Sequence, residues 1–68
     1  MVRNALTKRE MEVLRLLARG RSYAKIAAQL GVTVNTVGTH IKKLYVKLDV
    51  HTAAAAVMRA VELHLLGG

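Results

Sequence analysis

Amide, hydroxyl and ammonium side chains recur at helical spacing near the middle of the chain, with no acid among them. They are Asn35, Thr39, Lys42 and Lys43. At about 100° per residue, these side chains share one outward face of a helix. Lysine can donate to the O6 and N7 acceptors of guanine, and asparagine can pair with adenine. The pattern therefore indicates a surface for base edges and phosphates; the alternative is a solvated polar face without a partner.

The charge balance of the chain favours a nucleic-acid partner. Its 68 residues include 11 Lys and Arg but only 4 Asp and Glu, which gives a formal net charge of +7. So large an excess on a short chain predicts a polyanionic partner, with nucleic acid first and an anionic membrane surface second. A solubility device or a chance excess is the remaining interpretation.

Four helices are predicted from their start and stop signals. Thr7, Ser22, Thr33 and Thr52 are suitable N-caps, and Thr7 forms a capping box with Glu10. Two glycines and an aspartate stand where left-handed residues would end the first three helices: Gly20, Gly31 and Asp49. The predicted helices cover residues 7–19, 22–30, 33–48 and 52–65. The sequence thus predicts an all-α fold, a compact four-helix domain that includes all of residues 1–68.

The second and third helices form a helix-turn-helix. Only Gly31 and Val32 separate them, and so short a turn makes two helices cross steeply. The small Ala27 allows close approach, and Val37 is expected to wedge between the helices. A stripe at spacings of three and four is predicted to face the core: Val34, Val37, Ile41, Leu44 and Leu48. This orientation turns the polar face outward, with phosphate contacts expected from Thr33, Ser22 and Lys25 at the two helix starts.

The fourth helix is apolar on two sides. One arc contains Ala54, Val57, Met58, Val61 and Leu65, and the other contains Ala56, Ala60 and Leu63. A helix with two apolar sides needs two partners, which we interpret as the core and a second copy of the chain. The candidate dimerisation residues are Val57, Met58, Val61 and Leu65. The alternative is a frayed last turn whose apolar residues are simply exposed.

From Leu6 to about Val57 the chain resembles the LuxR-type helix-turn-helix family, which includes the output domains of NarL/FixJ-type response regulators. The resemblance is carried by Leu6-Thr7, Arg9-Glu10, Glu12-Val13-Leu14, Leu16-Leu17-Ala18, Gly20, Ser22, Ile26-Ala27, Leu30, Thr36-Val37, His40, Lys47-Leu48, Val50 and Ala56-Val57. It implies a four-helix domain that controls bacterial transcription. It also implies that the third helix is the recognition helix and that the fourth makes the dimer contact.

The resemblance also implies roles for residues of the third helix. Bases are expected to be read by Gly38 and Thr39, just after the Thr-Val pair, and by Lys42 one turn later. Backbone contacts are expected from Asn35, Thr36, Lys43 and Lys47. This sequence departs from the family where Gly38 replaces a lysine or similar side chain. It also has Lys25 in place of a glutamate, Ala53 in place of an arginine and Asp49 in place of a glycine.

Other functions are less well supported by the sequence. The few acids and the spacing of the three histidines suggest neither an enzyme, a metal site nor a cofactor. The positive charges are spread over several helices, which argues against a membrane-surface helix. A sigma-factor-like or protein-interaction helix-turn-helix module is the main alternative. The expected partners are double-stranded DNA through the major groove, a second copy of the chain, and RNA polymerase.

The cellular context follows from the same reading. Absence of cysteine is compatible with a reducing compartment, and a bacterial, cytoplasmic and nucleoid-associated protein is expected. Both a response-regulator output domain and a free-standing regulator fit the sequence.

Overall fold

The computed structural model describes residues 6–66, which contain four α-helices and no strand. The helices are α1 (Lys8–Ala18), α2 (Tyr23–Leu30), α3 (Val34–Leu48) and α4 (Ala53–Glu62). The all-α fold with four helices is therefore confirmed. The first three predicted ranges differ from the observed helices only because they include cap residues, whereas the fourth extends beyond the end of α4.

Every helix begins at the hydroxyl side chain predicted to cap it. The hydroxyls of Thr7, Ser22, Thr33 and Thr52 each accept the backbone amide three residues later, at 3.1–3.2 Å. These bonds satisfy one of the amides that a helix start leaves without a partner. The capping box of α1 is complete, because the Thr7 amide also donates to Oε1 of Glu10 at 2.8 Å.

Every helix also ends in the same way. A residue with positive φ follows each helix, and the next amide turns back to a carbonyl five residues earlier, as in a Schellman motif. The left-handed residues are Gly20, Gly31, Asp49 and His64. The returning bonds run from Arg21 to Leu16, Val32 to Ala27, Val50 to Tyr45 and Leu65 to Ala60.

The last of these motifs corrects the prediction for the fourth helix. We predicted a helix to residue 65, but α4 ends at Glu62 because His64 is left-handed, with φ 58°, and the Leu65 amide bonds to the Ala60 carbonyl at 2.8 Å. Leu65 therefore lies outside the helix, where it is half-buried and packs against the core. It does not continue the exposed arc of α4.

The core lies between α1 and α3, each of which contacts the other three helices, while α2 and α4 do not touch each other. Its largest fully buried side chains are Val13, Leu14, Ile26, Val37, Ile41 and Leu44. The predicted stripe of α3 is buried from Val37 to Leu48, but Val34 is 47% exposed because it stands in the first turn, at the margin of the core. Thus α3 lies across the core with its opposite side in solvent.

Asp49 offers a test of how α3 is terminated. It is exposed and left-handed, with φ 56°, a conformation that costs most L-residues about 1–2 kcal/mol. We expect the free energy of unfolding of Asp49→Gly to be about 1 kcal/mol higher than that of Asp49→Ala. Both variants lose the carboxylate, but only glycine relieves the backbone strain. Urea denaturation of the two variants measures the difference, and equal stabilities would contradict the assignment.

Candidate nucleic-acid interface

The turn between α2 and α3 determines which side of α3 faces outward. Gly31 adopts φ 69°, and the Val32 amide donates to the Ala27 carbonyl at 3.0 Å. Ala27 and Val37 are buried in the common core, as expected of the small and wedging residues of a helix-turn-helix. The geometry holds α3 by its apolar side and leaves the other side accessible.

The structure brings the predicted polar side chains together on that accessible side. Asn35, Thr39, Lys42 and Lys43 are all exposed, whereas Thr36 and Gly38 are half-buried at the flank. Val46 is 80% exposed on the same face. The surface thus combines two ammonium groups and an amide with a bare apolar side chain, and none of its residues is acidic.

Thr39 is more constrained than the sequence analysis assumed. Its hydroxyl donates to the Asn35 carbonyl one turn earlier at 3.1 Å. With its proton used in this way, Thr39 offers a partner only its methyl group and the lone pairs of its oxygen, which accept but do not donate. Such bonds to the preceding turn are common for threonine in helices, so the position of Thr39 within α3 was a usable signal.

Two hydroxyls meet at the start of α3. The Oγ1 atoms of Thr33 and Thr36 are 3.0 Å apart, and Thr33 also accepts the Thr36 amide. Only one of the two hydroxyl protons can lie between these oxygens, so the other is available to an acceptor outside the protein. Together with the free amides of the first turn, this pair can donate to an anion.

The start of α2 carries a second group of donors. Ser22 and Lys25 line a shallow depression of about 500 Å³ with Gly20 and Arg21. The Ser22 hydroxyl accepts the Lys25 amide at 3.2 Å and keeps its own proton. Ser22 and Lys25 therefore lie side by side at the start of α2, as the predicted phosphate contact requires.

A tyrosine pair that the sequence analysis missed joins the start of α2 to α3. Burial raises the pKa of the Tyr45 hydroxyl, and the neighbouring Tyr23, which shares a hydrogen bond with it, raises that pKa further. Both effects keep Tyr45 protonated and therefore able to hold this contact. Tyr23 itself is 40% exposed.

Lys47 has a structural partner. Its Nζ lies 2.7 Å from Oε1 of Glu10, which is the same oxygen that receives the Thr7 amide. The side chain of Glu10 is only 4% exposed, and that of Lys47 is 28% exposed. No local pattern signals this bond, because its residues are 37 positions apart. The side chain of Lys47 therefore links the end of α3 to the start of α1.

The ionisation of Glu10 reflects these contacts. Burial acts to raise the pKa of the carboxyl, but the hydrogen bonds from Lys47 and the Thr7 amide, with the charge of Lys47, outweigh it. The net effect is a pKa below the usual value of 4.5. Glu10 is thus a carboxylate held ionised within the protein interior.

Residues 6–66 contain no helix long and apolar enough to cross a membrane. Within the same range, no three His, Asp or Glu side chains are grouped so that they could hold a metal ion.

Known proteins resemble this chain over most of its length. The sequence profile described as bacterial regulatory proteins, luxR family, matches residues 4–60. The probable transcriptional regulatory protein NarL of Mycobacterium tuberculosis is 49% identical over 61 residues, which are 90% of this chain and 28% of that protein. The transcriptional activator protein EsaR of Pantoea stewartii subsp. stewartii is 47% identical over 60 residues, 88% of this chain and 24% of that protein.

The response regulator protein VraR of Staphylococcus aureus is 41% identical over 61 residues, or 90% of this chain and 29% of that protein. The chain therefore spans less than a third of the length of these relatives. No solved structure shows a significant match to it.

The Glu10–Lys47 pair makes stability dependent on acid pH. Since folding lowers the pKa of Glu10, its contribution is complete above the unfolded-state pKa and is lost as the pH falls through the folded-state pKa. We expect Glu10→Gln to lower the free energy of unfolding at pH 7 by about 1–2 kcal/mol and to flatten its decline below pH ~5.

Urea denaturation across pH 3–7 measures this effect. Glu12→Gln is the matched control, because Glu12 is exposed and its nitrogen–oxygen distance to Arg9 is 3.9 Å. It should keep the wild-type slope. A wild-type slope in Glu10→Gln would mean that the buried pair does not control acid stability.

Proposed function

This chain belongs to the luxR family of bacterial regulatory proteins, as a LuxR-type DNA-binding domain of transcriptional regulators, and from that membership we propose that α3 enters the major groove of double-stranded DNA. The observation that carries the proposal is the division of α3 into two sides. One side is buried in the core, and the other exposes Asn35, Thr39, Lys42 and Lys43 without an acid. A helix of this kind fits the groove and its acceptors.

Base reading is assigned to the centre of the exposed side. Lys42 can donate to guanine O6 and N7, and Asn35 can bond to adenine through both ends of its amide. Thr39 offers its oxygen as an acceptor and a methyl group, because its proton is given to the Asn35 carbonyl. It therefore suits the amino group of cytosine or adenine, or the methyl group of thymine. Gly38, beside it, contributes space rather than a side chain.

Phosphate binding is assigned to the margins of the same surface. Thr33 and Thr36 have a hydroxyl proton to donate, and Ser22 with Lys25 forms a second donor group at the start of α2. Lys43 is exposed on α3, next to the base-reading residues. Lys47 is the least direct of the predicted contacts, since its ammonium bonds to Glu10 and adds mainly to the local positive potential.

We also propose that α4 pairs two copies of the domain. Met58 and Val61 are 65% and 51% exposed on α4, and Val57 beside them is half-buried. Large apolar side chains side by side on a short helix favour a two-fold contact with the same surface of a second copy. Of the four predicted contact residues, Leu65 has the weakest support because it packs against its own core.

The wider role is likewise a proposal. Because the relatives are several times longer, we infer that the chain acts as the DNA-binding part of a regulator, either a response regulator or a regulator without a phosphoacceptor domain. It would act on the bacterial chromosome in the cytoplasm, and a contact with RNA polymerase stays a prediction. The single core supports one domain over residues 1–68.

Selection from a random duplex library tests the main proposal. At about 0.15 M salt, exposed charges are screened beyond ~8 Å, so purely electrostatic binding is weakened. We expect an enriched, roughly palindromic motif, with half-sites spaced to match a protein two-fold. Binding without enrichment that disappears as salt rises would overturn sequence-specific recognition by this chain.

Two lysine variants separate base reading from phosphate binding. Lys42→Ala should cost about 1–3 kcal/mol on the selected duplex and little on random duplex, because it removes a base contact. Lys43→Ala is the matched control, with the same charge change on the neighbouring residue. It should weaken both duplexes about equally and lower the salt slope by about 1. Identical effects of the two substitutions would contradict the assignment.

Sedimentation equilibrium tests the proposed pairing through α4. We expect Val61→Glu to remove the concentration-dependent dimer, because a carboxylate at this surface cannot be buried against its own copy. Ala28→Glu makes the same charge change on the exposed side of α2, which does not touch α4, and should leave the dimer intact. A wild-type chain that stays monomeric at all concentrations would refute the pairing.

A further inference from the structure

Gly38 occupies a position where nothing inside the protein requires glycine. It lies within α3, and glycine is among the least favourable residues for a helix interior. Its φ is not positive, unlike that of Gly20 and Gly31. Apart from its chain neighbours and the backbone of its own helix, a Cβ atom at Gly38 would meet no heavy atom within 4 Å, so close packing does not exclude a side chain either. The missing side chain therefore leaves an open gap in the row of side chains along α3, called the recess below, at the cost of helix propensity.

The residue next to this recess has no proton to offer. The Thr39 hydroxyl donates to the Asn35 carbonyl at 3.1 Å, which leaves the methyl group and the acceptor lone pairs of the oxygen for an outside partner. Gly38 has no side chain at all. The pair is therefore poorly suited to the two acceptors of guanine, which need a donor. What the pair presents is the bare backbone of Gly38 and, on the next residue, the methyl group of Thr39.

We propose that this recess accommodates the C5-methyl group of a thymine, so that Gly38 and Thr39 select a T·A pair in each half-site. Thymine is the only base whose major-groove edge carries a methyl group, and the corresponding position of cytosine has only a hydrogen. A Cβ at residue 38 would occupy the volume that the methyl group needs. The inference rests on the proposed DNA recognition by α3 and specifies one position of the target.

Deoxyuridine provides the direct test. Once a motif has been selected, each thymine of a half-site is replaced in turn by deoxyuridine, which pairs identically and keeps O4 but lacks the methyl group. Burial of one methyl contributes about 0.8 kcal/mol, and tenfold in affinity corresponds to about 1.4 kcal/mol. We therefore expect a loss of about fourfold at one position of the half-site and little change elsewhere.

Gly38→Ala connects that position to the recess. We expect the variant to melt several degrees higher, about 4 °C, because alanine favours the helix and meets nothing in the protein. It should nevertheless bind the thymine duplex more weakly and no longer distinguish thymine from deoxyuridine. A more stable protein with poorer recognition cannot be explained by damage to the fold.

Val46→Ala is the matched control on the same helix. Val46 is the other uncovered apolar group of this surface, at 80% exposure, and its truncation should preserve the thymine preference at the identified position. Loss of the preference in Val46→Ala but not in Gly38→Ala would assign the methyl contact to Val46 and overturn the inference.

The remaining outcomes separate this inference from the proposed function. An enriched motif in which no deoxyuridine substitution matters would overturn the thymine contact and leave sequence-specific binding intact. Retention of the thymine preference in Gly38→Ala would do the same. Failure to enrich any motif would overturn sequence-specific binding first, and the inference about Gly38 with it.

Discussion

A buried carboxylate joins the first helix to the third. Glu10 accepts the Thr7 amide that opens α1 and the ammonium of Lys47 near the end of α3. An ionised group this well covered is tolerated only when its hydrogen bonds replace those of water, and here a backbone donor and a cation do so. The bond links the start of α1 to the end of α3 and so adds to the apolar contacts that hold the two helices together.

The same helix must satisfy two surfaces. Its apolar residues from Val37 to Leu48 are buried at the centre of a small core, while its other side is exposed and is the surface proposed to bind DNA. Packing and exposure are compatible because they involve opposite sides of the same helix. Outward residues such as Lys42 and Val46 can therefore vary without disturbing the packing beneath them.

Local signals made most of the fold predictable. The four N-cap hydroxyls and the left-handed stops at Gly20, Gly31 and Asp49 act over a few residues, and all are found in the structure. The predicted end of α4 was wrong because a histidine is a much weaker stop signal than a glycine, so the left-handed conformation of His64 was not foreseen. The exposure of Val34 was missed because helical periodicity specifies a side of a helix and not how far the core extends along it.

The candidate site was predictable in composition and less so in detail. Periodicity separated the exposed polar residues from the buried stripe, and their residue types indicated the chemistry. It gave no information on Lys47 and Glu10, whose contact joins distant parts of the sequence, or on Tyr23 and Tyr45. Helix geometry alone could have predicted the hydrogen bond from the Thr39 hydroxyl to the Asn35 carbonyl. The consequence proposed for DNA recognition depends also on the open space at the neighbouring Gly38, which the structure shows.

The uniform helix endings bear on how quickly the chain reaches this structure. Each helix ends with a hydrogen bond between residues five apart, so the signals that start and end every helix lie within or next to that helix. Chains dominated by such local contacts meet a small loop-closure cost and fold in microseconds to milliseconds. The Glu10–Lys47 bond is of the opposite kind, since its two residues are 37 positions apart and the bond requires α1 and α3 to have come together. The contrast predicts that the helices are specified locally and that their mutual arrangement depends on contacts made between them.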